Sequence, residues 1–159
     1  MSKSVVFRLG PLAVSIVIPL ALGALSGFIT SGSMQQFEQL LKPPLSPPGI
    51  AFPIVWTILY VLMGIASYLI WQSADRDRGK ALVLYGIQLV VNVLWPILFF
   101  TLQMRLLSFF WLLLLIVLII WTMARFSKIN KTAAWLLVPY LLWTLFAGYL
   151  NLGVYLLNR

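Results

Sequence analysis

LLSFFWLLLLIVLIIWTMA, residues 106–124, runs for nineteen positions without a charge. As an α-helix at 1.5 Å per residue it would be about 28 Å long, close to the ~30 Å of hydrocarbon in a bilayer. Four more stretches share this character: 9–30, 50–72, 81–101 and 132–157. Each reaches the roughly 20 residues that a helix needs to cross. Ten-residue segments of alternating polarity, the mark of a membrane barrel, are not visible. The expected fold class is therefore an all-α integral membrane protein, a bundle of five transmembrane helices forming a single domain over residues 1–159.

Composition agrees. The 159 residues are 62% hydrophobic and 9% charged, where soluble domains hold about 45–50% apolar and about 25% charged residues. Lys3 and Arg8 precede the first stretch like the start of a signal peptide. Its apolar run is too long for one, and it reads as a retained helix. Cysteine and histidine are absent, and the acids Glu38, Asp75 and Asp77 all fall outside the spans. No Cys/His metal site is expected, no Ser-His-Asp or Cys-His nucleophile, and no intramembrane carboxylate relay. No cofactor is expected either. Any ligand would be held by shape, stacking and a few neutral hydrogen bonds.

The net charge of +8 points to a membrane surface and not to nucleic acid, because the basic residues sit at helix ends. With five crossings, Lys3, Arg8, Arg76, Arg78, Lys80, Arg125, Lys128 and Lys131 share one side. Lys42, Arg105 and Arg159 share the other. By the positive-inside rule the N-terminus is cytoplasmic.

Between the first two spans lies LKPPLSPPGIAFPIVW, residues 41–56, with five prolines. Residues before proline are forced extended, so this is a stiff strap and a poor helix. Pro53 fits the first turn of the next helix, where its missing N–H costs nothing. Before the strap, Ser33 and Gln36 match a capping box, and Phe37, Leu40 and Leu41 fall on one helical face. A short amphipathic helix ended by Pro43 and Pro44 is expected. In the first span, Gly23 and Gly27 form a GxxxG pair, read as close packing inside the bundle or as a dimer seam.

Trp71, Trp111 and Trp135 lie near helix ends and read as an interfacial belt, with Trp121 a further anchor. Trp95 and Trp143 lie mid-span beside Pro96 and Pro139, and a proline bend beside a bulky ring tends to open space. Gln88 and Asn92, four apart, share a face. With Asn151 they are neutral amides in hydrocarbon that should point inward. They read as interhelical glue or as part of an aromatic-lined pocket for flat, apolar ligands.

Several motifs together resemble the tryptophan-rich sensory protein family, whose mitochondrial members are the translocator protein or peripheral benzodiazepine receptor. They are Lys42-Pro43, Pro47-Pro48, Phe52-Pro53-x-x-Trp56-x-x-x-Tyr60-x-x-Met63-Gly64, Ser67-Tyr68-Leu69-x-Trp71, Gln88-x-x-x-Asn92-x-x-Trp95-Pro96-x-x-Phe99-Phe100 and Pro139-Tyr140-x-x-Trp143-x-x-x-Ala147-x-x-x-Asn151. The resemblance covers the chain from the first to the fifth helix. It implies a homodimer of five-helix subunits, with the proline-rich loop after helix 1 folded as a lid over a pocket.

The same resemblance implies binding of porphyrins such as protoporphyrin IX and of drug-like aromatic ligands. Ligand-binding residues are then Trp56, Tyr60, Asn92, Trp95, Trp143, Ala147 and Leu150. Lid residues are Phe37, Lys42, Pro43, Leu45, Pro47 and Pro48. Trp56 and Trp143 match the tryptophans implicated in light-dependent porphyrin breakdown, an enzyme-like alternative to a sensor, receptor or transporter. Two departures stand out: Gln36-Phe37 replaces the family's Trp-Tyr, and Leu45 replaces a tryptophan. Leu150, Tyr155 and Arg159 satisfy a proposed sterol pattern. A bacterial plasma membrane is the expected location, with the mitochondrial outer membrane as the alternative.

The charge bias yields a direct test. A cysteine placed at Ser46 should react with an impermeant maleimide in intact cells, and one at Ser73 should not. The opposite labelling pattern would invert the topology.

Overall fold

The computed structural model describes residues 8–159; Lys3 of the charge bias lies outside them. Among the described residues, five helical segments are long and apolar enough to cross a membrane. The first span is α1 (Leu9–Thr30), which passes through a 3₁₀ turn, Ser31–Ser33, into the short α2 (Met34–Glu38). The second is α3 (Ala51–Trp71) and the third α4 (Arg78–Pro96), extended by a π-helical turn over Ile97–Thr101. The fourth is α5 (Arg105–Ser127) and the fifth is split into α6 (Lys131–Leu136) and α7 (Val138–Leu157).

Two prolines account for the two irregularities. Pro96 has no N–H for the usual partner four residues back, and the helix widens after it. Leu102 N–H then reaches the Ile97 carbonyl at 2.9 Å, the five-residue step of a π turn. The widened turn buries the consecutive rings of Phe99 and Phe100. Pro139 acts as a helix starter, in the first turn of α7, and the chain breaks at Leu137. Pro19 lies inside α1 without ending it.

Helices α1 and α3 form the closest crossing. A Cβ built on Gly64 of α3 would meet Ile16 Cα at 2.5 Å and Ser15 O at 2.7 Å. A Cβ on Gly23 of α1 would lie 2.2 Å from the Tyr60 ring. Of the two readings of the GxxxG pair, Gly23 therefore takes packing inside the bundle. Gly27 meets nothing within 4 Å and lines an open cavity between α1 and α3. The core is centred on α3, whose Met63, Ala66, Tyr68 and Ile70 are fully buried. Much of α1 and one side of α5 leave apolar side chains uncovered, as lipid-facing surfaces do.

Three expectations need correction. Ser33 holds the N-cap position of α2 but makes no capping hydrogen bond. The chain arrives already helical from the 3₁₀ turn, so the first N–H groups of α2 have carbonyls behind them and no orphan donor remains for a serine. Second, α2 ends at Glu38, before the prolines, and Leu41 is exposed while Phe37 is buried. Third, Trp111 is not a belt residue in its contacts. Its Nε1 donates to the Val91 carbonyl of α4 at 2.7 Å, whereas Trp71 and Trp135 are exposed.

The crossing predicts an asymmetric glycine response. Gly64→Ala must push backbone against backbone and should lower stability by about 1–3 kcal/mol. Gly86→Ala on α4, which meets nothing within 4 Å, should be neutral or stabilising by up to about 1 kcal/mol. Thermal unfolding in one detergent would compare them.

Candidate functional site

Local geometry is set first by polar side chains that are costly to leave unpaired in hydrocarbon. Tyr60 of α3 donates its hydroxyl to Asn92 Oδ1 at 2.8 Å. Asn92 Nδ2 donates to the Tyr140 hydroxyl at 2.6 Å, and Tyr140 in turn donates to Gln88 Oε1 at 2.7 Å. All four side chains are buried. They tie α3, α4 and α7 together at one level.

A second polar knot lies nearer the strap. Asn151 Oδ1 accepts from Trp95 Nε1 at 2.9 Å and lies 2.9 Å from Ser108 Oγ. Asn151 Nδ2 donates to the Arg105 carbonyl at 2.8 Å. The Trp95 ring is thereby oriented, and it stacks on Phe99 at 5.3 Å.

Around this frame the aromatic residues form two chambers. The inner one is walled by Phe52, Trp95, Phe99, Phe100, Ala147 and Leu150, under Lys42, Ser46 and Pro47 of the strap. Only about 20 Å³ of free space remains in it, because Phe37 of α2 fills it. The Phe37 ring meets Phe100 at 5.0 Å, Phe99 at 5.7 Å and Phe52 at 6.4 Å, each edge to face. Lys42 Nζ sits 5.0 Å above the same ring, a cation–π distance.

The second chamber is a half-open cavity of about 540 Å³ between α1, α3 and the end of α4. Trp56, Tyr60, Trp95, Pro96 and Phe100 form its aromatic side, and Gly23, Ser26 and Gly27 its α1 side. Trp56 stacks on Tyr60 at 5.6 Å and 27°. Ser26 spends its hydroxyl on the Val93 carbonyl at 2.7 Å. Phe52, Trp95 and Phe100 line both chambers and so form the partition between them.

The strap is anchored to α7. Pro43 is seated on Gly153, where a Cβ would come within 2.6 Å of the proline ring. Tyr149 donates to the Pro44 carbonyl at 2.7 Å. Asn158 brackets Leu41, accepting its N–H at 3.0 Å and donating to its carbonyl at 2.7 Å. Gln36 bonds Gln103 across the α2 end. Leu45 has φ 71, a left-handed conformation that is costly for a bulky residue, and its side chain is exposed.

A sequence model of the TspO/MBR family matches residues 15–157. This chain belongs to the TspO/MBR family. It is 39% identical over 152 residues to the tryptophan-rich protein TspO of Chlorobaculum tepidum, covering 92% of this chain and 95% of the relative. It is 38% identical to the tryptophan-rich protein TspO of Archaeoglobus fulgidus, at 92% and 96% coverage. The translocator protein of Ovis aries is 36% identical over 127 residues, 78% of this chain and 75% of that one. TspO/MBR membership and five spans make this an integral membrane protein of a receptor and sensor family.

Within this TspO/MBR fold the seven ligand-binding candidates divide. Trp56, Tyr60 and Trp95 share the open cavity; Trp95, Ala147 and Leu150 share the filled chamber. Asn92 lines neither, since its amide is spent on Tyr60 and Tyr140. Trp143 faces a separate outer groove with Val55, Ile58, Pro139 and Phe146, and its buried Nε1 has no partner. Of the lid candidates, Phe37, Lys42 and Pro47 line the inner chamber and Pro43 docks on α7, while Leu45 and Pro48 line neither chamber. Leu150 of the sterol pattern is buried, whereas Tyr155 and Arg159 line another groove.

Sequence reasoning did not single out Phe52, Phe99, Phe100 and Tyr140 as site residues. Helical periodicity cannot bury two consecutive rings, and only Pro96 signalled the irregular turn that does. For Tyr140 the signal was a mid-span hydroxyl on a proline-started helix.

The strap anchoring is testable apart from any ligand. Asn158→Ala removes both bonds to Leu41, worth about 0.5–1.5 kcal/mol each. Hydrogen exchange at the Leu41 amide should rise at least about fivefold, with the mid-span amides of α3 unchanged.

Proposed function

We propose that this TspO/MBR protein binds porphyrins such as protoporphyrin IX, and drug-like aromatic ligands, in the cavity bounded by Trp56, Tyr60 and Trp95. It acts on this reading as a receptor, sensor or transporter. The carrying observation is the cavity itself: about 540 Å³, inside the ~300–1,000 Å³ range of small-molecule sites, with stacked indole and phenol faces. Polar groups around it are largely satisfied by protein, so recognition rests on flat apolar contact. The resemblance to porphyrin-binding family members supports the same ligand class.

The strap serves as a lid on this reading. Phe37 occupies the inner chamber, and its withdrawal would join the two chambers around the Trp95 partition. Pre-ordered prolines keep the entropy cost of reclosing small. A bacterial plasma membrane with the N-terminus cytoplasmic, and assembly as a homodimer, complete the proposal. Light-dependent porphyrin degradation is the second reading, favoured by Trp56 stacked on Tyr60 at the cavity wall. It ranks below binding because Trp143, its other tryptophan, faces a different groove. Sterol binding ranks lower still, since Leu150 and Tyr155 do not share a surface.

Titration of purified protein with protoporphyrin, in the dark, should quench tryptophan fluorescence. Trp56→Leu with Trp95→Leu should weaken binding about five- to hundredfold, since two aromatic contacts are worth about 1–3 kcal/mol together. Trp143→Phe should leave it within twofold. Equal affinity in the double variant would remove the cavity assignment. Absorbance that bleaches under light, and only with Trp56 present, would favour the photochemical reading.

A further inference from the structure

The bundle end away from the strap carries a second recess, distinct from the aromatic chambers. It lies where the start of α4 meets the end of α5, with a volume of about 590 Å³. Its apolar lining includes Val83 and Ile87 of α4 and Leu118 and Trp121 of α5. Val83, Ile87 and Trp121 are exposed, so a lipid chain can lie along them. Its rim is charged in both signs. Lys80, Arg125 and Lys128 supply cations, and Asp75 and Asp77 supply carboxylates.

These charges have little to do within the protein. Among the described residues, the side chains of Lys80, Arg125, Lys128 and Asp77 make no hydrogen bond or ion pair. Asp75 Oδ1 accepts the Asp77 N–H at 2.8 Å, closing the loop, and its second oxygen is unspent. Apolar wall below and mixed charge above is the profile of one phospholipid molecule at the membrane surface. A guanidinium fork with two ammonium groups suits a phosphate. The two carboxylates reject a purely anionic headgroup and suit a primary ammonium.

We infer that the recess between α4 and α5 is a binding site for a phosphoethanolamine-headed lipid, its phosphate held by Arg125, Lys128 and Lys80 and its ammonium by Asp75 and Asp77. The acyl chain runs along Val83, Ile87 and Trp121. Net charge alone does not select this lipid; the pairing of signs does. A phosphocholine headgroup carries the same charges but has no N–H to give the carboxylates, and a phosphoglycerol headgroup has no cation at all.

The test uses full-length protein in mild detergent and native mass spectrometry, with phosphatidylethanolamine, phosphatidylcholine and phosphatidylglycerol of identical acyl chains. Phosphatidylethanolamine should bind at least tenfold more tightly than the other two. Arg125→Gln with Lys128→Gln should cut its retention about tenfold. Asp75→Asn with Asp77→Asn should bring phosphatidylethanolamine down to the phosphatidylcholine level; the asparagine at 75 keeps the Oδ1 acceptor of the loop. Equal binding of the three lipids, preference for phosphatidylglycerol, or a preference unmoved by the aspartate variants would each overturn the assignment.

Discussion

Asn92 is the point on which the arrangement of this bundle turns. In hydrocarbon an amide has no water to fall back on, so its donors and acceptors must be met by protein. Asn92 meets Tyr60 on one side and Tyr140 on the other, and Gln88 completes the row through Tyr140. One short chain of neutral hydrogen bonds thus sets where α3, α4 and α7 stand relative to one another. Apolar packing alone would not fix that register, since lipid tails are as apolar as leucine.

The same row places the aromatic surface. Tyr60 is held by its hydroxyl, so its ring face is presented to Trp56 and to the cavity. A turn along α4, Trp95 is held by Asn151 and becomes a fixed wall between two chambers. The aromatic rings are therefore not a loose belt. Each of these two is oriented by a polar bond at its tip, as amphipathic rings are when buried. A preorganised wall of this kind loses little freedom when a flat ligand lies on it.

The two ends of the molecule solve different problems. At the strap end, prolines, Gly153 and Asn158 bring an extended segment onto α7, and Phe37 closes the inner chamber. At the other end the short connection between α3 and α4 gathers charges of both signs above an apolar wall. The first arrangement packs the strap over a chamber that Phe37 already fills. The second leaves charges of both signs exposed at the end of the bundle.

The membrane class, the five spans and the strap were legible in residues alone, because each depends on a local property: charge-free length, or proline's effect on its neighbours. So was the inward direction of Gln88 and Asn92, since four residues are about one helical turn. The candidate site was legible only in pieces. Trp56, Tyr60 and Trp95 meet in one cavity, but Trp143 turns to another groove and Asn92 to its tyrosines. The sequence determined which side chains must be buried and paired in a bilayer. The tertiary structure decided which partner each one found, because that depends on the π turn after Pro96, the break before Pro139 and the α1–α3 crossing at Gly64. These set helix rotation to within a fraction of a turn, and a pattern read along one helix cannot supply the rotation of its neighbours.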